Sequence, residues 1–294
     1  MDTVTKTTYI VRMNREPVSP DKAAVSIFDH GFLFGDSIFE VVRTVKGKIL
    51  ALNEHLRRLR NSAARVKMDL PWSNADLKSE IEAVIRDADW SGESYVRLIV
   101  SRGVGNIELL PDTCREPVLV VIGKALPVFP DECYTEGMTL CLTDVIRNSS
   151  LSMDPAIKSG NYLNNALAMI ESREKGADDA LMLNEHGYVT ESSTSNFYFV
   201  KDGIVKTAAL DCGILAGITR DILLKIAPEA GIPVKEGYFI VDDLLSADEA
   251  FMSGTIKGVM PVRAITGRIK WQAPPGPVTA RLRREYESHV GLSD

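Results

Sequence analysis

At 294 residues the chain is long enough for two domains, or one large one, with a core that needs no disulfide staples. A composition of 45% hydrophobic and 25% charged residues excludes fibrous and disordered classes. A net charge of −6 opposes attraction to nucleic-acid backbones and anionic membranes, while allowing a local basic pocket for one small anion.

The four cysteines (Cys114, Cys133, Cys141 and Cys212) form no C-x-x-C pair, and the histidines show no ligand spacing against them. Reduced thiols and no metal are therefore expected. The start, Met1 to Lys6, is polar, and no run of about 18 apolar residues occurs, so neither a leader nor a membrane span is expected. A cytoplasmic protein fits this pattern.

Short alternating or apolar runs at Tyr9 to Met13, Ile38 to Val45, Tyr95 to Arg102 and Val118 to Ile122 predict strands. Between the second and third, Leu56, Leu59, Ala63 and Val66 recur at helical spacing behind an Asn53 cap. Leu77, Ile81, Val84 and Ile85 do the same behind a Ser73 cap. This half is therefore α+β. The stretch Gly123 to Gly137 holds two prolines and little periodicity, which places a linker at 126–136 between domains at 1–125 and 137–294. Beyond it, strands are predicted at Met138 to Ile146, Ala180 to Leu183, Phe197 to Val200 and Glu249 to Met252. Helices are predicted near Leu163 to Glu174, Thr219 to Ala227 and Thr279 to His289. Turn signals at Glu185-His186-Gly187 and Asp202-Gly203 join neighbouring strands as hairpins.

Several residues have chemical potential. Lys158 stands among small residues just before a helical run, where desolvation lowers an amine's pKa and frees it to condense with an aldehyde. Glu191 ends a short strand ahead of Ser192-Ser193-Thr194-Ser195-Asn196; it is either a strand-end cap or a carboxylate aimed at a cationic ring nitrogen. Gly217-Ile218-Thr219 opens a helix whose free amides suit a phosphate, with Thr219 otherwise a simple N-cap. Ser253-Gly254-Thr255 is a second hydroxyl-bearing turn for the same anion, or an ordinary turn. Arg58 lies on the first helix, and Tyr95 and Arg97 share one face of a strand, where they suit a carboxylate or a structural ion pair.

Taken in this order from about Tyr9 to about Ile265, these segments resemble the class IV aminotransferases, the fold-type IV pyridoxal-phosphate enzymes. The resemblance implies a small N-terminal α+β domain and a larger C-terminal pseudo-barrel domain with the cofactor between them, in a homodimer. It makes Lys158 the Schiff-base lysine and proton carrier, and Glu191 the carboxylate on the pyridine nitrogen. Arg58, the amides of Ile218 and Thr219 beside Gly217, and the hydroxyls of Thr219 and Thr255 would hold the phosphate, while Tyr162 would bond the phenolate oxygen.

The resemblance also implies an amino acid as substrate and a 2-oxo acid as its partner. Gly35-Asp36 and Glu40-Val41-Val42 look like the D-amino-acid group, but Phe39 lacks that group's tyrosine hydroxyl, and Val104-Gly105-Asn106 replaces its Arg-x-His pair. Phe39 with Arg43, and Tyr95 with Arg97, resemble the L-branched-chain group, with Ile256 as a further apolar wall. L-branched-chain transamination therefore ranks ahead of D-amino-acid or R-amine transamination. 4-Amino-4-deoxychorismate lyase ranks third, because its hydroxyl residue is a valine here, Val41.

Overall fold

The computed structural model describes residues 8–292. They divide into two compact units. One comprises the residues up to Pro127 plus Ile157–Asn161; the other comprises Val128–Ala156 and Tyr162 onward.

The first unit contains β1 (Ile10–Met13), β2 (Glu16–Val18), α1 (His30–Leu33), β3 (Ser37–Val45), β4 (Lys48–Ile49), α2 (Leu52–Arg65), α3 (Asn74–Arg86), β5 (Ser94–Ser101) and β6 (Val118–Ala125). The strands make one antiparallel sheet in the order β2-β1-β6-β5-β3-β4. Alternation sorts its side chains. Ile38, Val42, Val96, Leu98, Val100, Leu119 and Val121 form a buried cluster with Leu56, Leu59 and Ala63 of α2 and with Leu77, Ile81 and Val84 of α3. The opposite face of β3 and β5 carries Phe39, Val41 and Arg43, set by register against Ile99, Arg97 and Tyr95.

Ser73 caps α3 as its sequence predicts. Its hydroxyl accepts from the Asp76 amide, while the Asp76 carboxylate accepts from the Ser73 amide, a reciprocal capping box. Asn53 does not cap α2. The chain leaves the β3–β4 hairpin so tightly that Ala51 takes the left-handed capping position, and Asn53 falls inside the first turn.

The second unit contains α4 (Asp131–Thr135), β7 (Met138–Leu142), α5 (Leu163–Glu174), β8 (Asp179–Leu183), β9 (Val189–Ser192), β10 (Asn196–Lys201), β11 (Ile204–Ala208), α6 (Ile218–Glu229), β12 (Val234–Gly237), α7 (Val241–Leu245), β13 (Glu249–Gly254), β14 (Gly258–Gly267), β15 (Trp271–Gln272) and α8 (Pro277–His289). The strand path β10-β13-β14-β7-β8-β9 returns to β10 through the Asn196–Glu191 pairing, closing a six-stranded barrel. β11 and β12 extend from β10, and β15 pairs with β14.

The barrel wall is apolar on both sides. Phe197 and Phe199 join a cluster with Leu140, Leu181, Met252 and Met260, while the intervening Tyr198 and Val200 pack with Leu223 of α6 and Leu282 and Tyr286 of α8. One strand bound differs from the expectation. β7 stops at Leu142 rather than Ile146. β14 forms despite Pro261, and its register shifts between Val262 and Ala264, next to the residue that lacks a donor. The fold is mixed α+β, and no helix among the described residues is long and apolar enough to cross a membrane.

Candidate active site

In the first unit Lys158 lies on an extended strap, Ile157–Asn161, that pairs with the start of β3. The Phe39 amide donates to the Lys158 carbonyl at 2.9 Å, and the Gly160 amide donates to the Ser37 carbonyl at 2.7 Å. The Lys158 amide donates to Ser62 Oγ of α2 at 3.2 Å. A Cβ at 160 would lie 2.1 Å from Ser37 Oγ, so a larger residue there would have to turn that hydroxyl aside. The small residues around Lys158 thus let the strap lie against β3, and the lysine's backbone is held at both its donor and its acceptor.

The Lys158 ammonium sits 4.3 Å from the centroid of the Phe39 ring, and the Arg97 guanidinium carbon sits 3.9 Å from the same centroid. Phe39 is buried, so it brings a cation-bearing floor under the amine. Arg43 shares this sheet face but is itself buried, and its Nε donates to the Thr44 carbonyl at 3.2 Å. Tyr95 carries the Lys124 ammonium 5.2 Å above its ring.

Arg58 projects from α2 to Glu40 of β3. Its Nε and Nη2 meet the two carboxylate oxygens at 2.7 and 2.9 Å. His55 Nδ1 lies 2.8 Å from Glu40 Oε2, and its Nε2 is buried without a partner. Burial raises the Glu40 pKa, but Arg58 and His55 outweigh it and hold the carboxyl down at about 2. Burial also lowers the His55 pKa, against the pull of Glu40, so the imidazole stays neutral and donates from Nδ1. Both shifts weaken the fold in acid. The unfolded chain takes up a proton at His55 below its ordinary 6.5 while the buried ring does not, and Glu40 acts likewise between its ordinary 4.5 and about 2. The urea midpoint is therefore expected to fall as pH drops below about 6.5, and to fall more steeply below about 4.5. His55→Gln should remove the first phase and leave the second, and an unchanged pH profile would contradict this reading.

In the second unit Glu191 is buried at the end of β9. Its Oε1 accepts from Arg147 Nε at 3.1 Å, and its Oε2 accepts from the Asn196 side-chain amide at 3.2 Å and the Leu215 amide at 3.1 Å. A buried arginine beside it favours the ionised carboxylate. α6 begins at Ile218 behind Gly217, not behind a Thr219 cap, and no side chain caps its first amides. Gly217 has no room for a Cβ, which would lie 2.0 Å from Asn196 Oδ1. Asn196 therefore ties the α6 approach to Glu191. Thr219 is buried in the first turn, Thr255 and Ile256 occupy the β13–β14 turn, and Tyr162 immediately precedes α5.

Each unit by itself carries donors of the kind that pyridoxal phosphate takes. The first offers a primary amine for an aldehyde, and the second offers a carboxylate beside a buried arginine for a ring N–H and an uncapped helix start with buried Thr219 for a phosphate. Sequence reasoning had no role for Glu40, His55, Arg147 or Asn196 as partners. The signal available for Glu40 was a charge between two apolar strand residues.

The model of the class IV aminotransferase family matches residues 37–265. A Methanocaldococcus jannaschii protein named provisionally as a branched-chain-amino-acid aminotransferase is 35% identical over 94% of this chain and 95% of its own length. The D-alanine aminotransferase of Listeria monocytogenes is 36% identical over 95% of this chain and 96% of its own. The T.th. branched-chain amino acid aminotransferase, solved with pyridoxamine 5′-phosphate, superposes with a TM-score of 0.89 at 33% identity, over 97% of this chain and 95% of that one. The same enzyme has been solved with N-(5′-phosphopyridoxyl)-L-glutamate and with 4-methylvaleric acid. The fold, the donor set and these matches agree: the chain belongs to the class IV aminotransferase family and is a pyridoxal-phosphate-dependent transferase.

Proposed function

We propose that the protein moves an amino group between an L-branched-chain amino acid and a 2-oxo acid such as 2-oxoglutarate, with Lys158 as the lysine that carries the cofactor. The observation that carries this reading is the buried Phe39 ring with Lys158 and Arg97 both docked on it. An apolar surface beside the reacting amine suits an aliphatic side chain, and a guanidinium on the same ring suits the second carboxylate of glutamate. The bound pyridoxal phosphate supplies an electron sink for the pair left when the substrate Cα loses its proton.

Once the substrate amine has displaced it, Lys158 Nζ would be the base that moves that proton, and its clamped backbone limits the amine's reach. Glu191, kept ionised by Arg147, holds the proton on the ring nitrogen. Arg58, the amides of Ile218 and Thr219, and the hydroxyls of Thr219 and Thr255 would hold the phosphate, and Tyr162 would bond the phenolate oxygen of the cofactor. Glu40 fixes the Arg58 guanidinium in one orientation before any anion arrives. Val41, Ile256, Tyr95 and Arg43 complete the substrate surroundings.

The relatives support the substrate class. One structure of the T.th. enzyme holds an L-glutamate derivative of the cofactor and another holds a branched aliphatic acid. D-alanine aminotransferases, at 36% identity against 35% for the branched-chain relative, favour a second reading, transfer from D-alanine, for which Gly35-Asp36 also speaks. The hydroxyl missing at Phe39 weighs against it.

A panel of both enantiomers of leucine, alanine and glutamate, plus a chiral arylamine, decides between them. L-leucine with 2-oxoglutarate should be fastest; faster reaction with D-alanine or an R-amine would hand the case to the second reading. Arg97→Met should slow the glutamate half-reaction roughly 10- to 100-fold more than the leucine half-reaction, the worth of one charge-assisted hydrogen bond. Equal losses in single-turnover rates would make Arg97 structural.

A homodimer is part of the same proposal. Ile27, Phe32, Ile107 and Leu109 are exposed in the first unit, and Leu163, Leu167 and Ile170 line an exposed stripe of α5 in the second, apolar surface that a partner subunit would cover.

A further inference from the structure

Lys257 ends the three-residue turn Thr255-Ile256-Lys257, across which Gly254 of β13 faces Gly258 of β14. Both of its ends are held. Its carbonyl accepts from the Tyr134 hydroxyl of α4 at 3.2 Å, and its ammonium donates to Asp179 Oδ2 at the start of β8. The two side chains are only 12% and 3% exposed. The other Asp179 oxygen accepts from the Ala180 amide and from the amide and hydroxyl of Ser193. The Ser193 carbonyl takes the side-chain amide of Asn165 at 2.7 Å, and Asn165 Oδ1 faces Arg147 at 3.5 Å. A connected buried polar chain thus runs from the β13–β14 turn to the Arg147–Glu191 pair.

A hairpin of three residues needs no ionic anchor to form, and a buried ion pair is an expensive way to fill space. Its distinctive effect is to fix geometry. Pinning the third residue of so short a turn restricts the first, Thr255, two residues away. We propose that Lys257, through its ion pair with Asp179, is a positioning residue that sets the Thr255 turn for the cofactor phosphate. This rests on the reading of Thr255 as a phosphate contact.

Asp179→Asn/Lys257→Met removes both charges and leaves no buried ion unpaired. This double variant is compared with Lys257→Arg and with Thr255→Ala. The full-length apoprotein of each is titrated with pyridoxal 5′-phosphate and with pyridoxal, which lacks the phosphate, and binding is followed by quenching of tryptophan fluorescence. The double variant should raise the dissociation constant for pyridoxal phosphate roughly tenfold and change that for pyridoxal less than about twofold, while Lys257→Arg retains most of the native affinity. A merely structural pair would weaken both ligands alike or neither, and either result overturns the proposal. If Thr255→Ala leaves pyridoxal phosphate binding unchanged, the phosphate reading of the turn fails and the inference falls with it. If Thr255→Ala loses affinity selectively while the double variant does not, the inference alone fails. Should the double variant not fold, Lys257→Gln, whose amide can still reach Asp179, is read by the same ratio of the two ligands, with a smaller selective loss expected.

Discussion

Lys158→Ala is expected to lower transamination by at least about 10²- to 10⁴-fold, the share of rate that positioned proton transfer alone supplies, and by more because the covalent anchor is lost as well. The strap explains why no other lysine should substitute. Lys158 is held through its amide by Ser62 and through its carbonyl by Phe39, so its amine is delivered to the Phe39 ring from a fixed point. Alanine at this position leaves both backbone bonds intact, so unfolding behaviour should hardly change while turnover disappears. Single-turnover rates of both half-reactions, with a denaturation curve alongside, check this. Near-normal half-reactions in Lys158→Ala would remove Lys158 from the chemistry.

Glu191→Gln should cost roughly 10²- to 10³-fold in turnover while most of the bound cofactor is retained. The carboxylate's environment makes the split sharp. Asn196 and the Leu215 amide both donate to Oε2, a contact that the oxygen of a glutamine preserves. The change falls on Oε1, which faces Arg147. With an amide there, the arginine's charge is no longer balanced, and the neighbouring positive potential disfavours a protonated ring nitrogen. Arg147→Met should partly offset the loss in the Glu191→Gln background, because it removes the unbalanced charge. Cofactor content by absorbance and turnover are measured on the same preparations; turnover within about threefold of the native enzyme would contradict the electron-sink role.

Much of this arrangement is legible in the sequence where the determinant is local. The capping box at Ser73 and Asp76 requires only three-residue spacing, and α5 begins and ends where its pattern predicts. Lys158 and Glu191 stand at junctions that short motifs mark, while α6 begins at Ile218 behind Gly217, one residue ahead of the expected Thr219. What escaped is long-range. Arg147 pairs with Glu191 from 44 residues away, and nothing in the residues around either one names the other. The closure of the barrel through Glu191 and Asn196 is a single pairing at a strand end, which carries no periodicity. β14 drew no strand expectation, and its Pro261 is accommodated beside a register shift between Val262 and Ala264. The Asn53 cap failed because Ala51, with no side-chain signal at all, takes the capping position when the preceding hairpin turns directly into the helix.

The most direct measurement is chemical. Borohydride treatment of the purified holoenzyme, followed by digestion and mass spectrometry, should place one phosphopyridoxyl group on the peptide that contains Lys158 and none elsewhere, and the visible absorption should be lost in step. A group found on another lysine, or a reduced protein that releases its cofactor on denaturation, would contradict the assignment of Lys158.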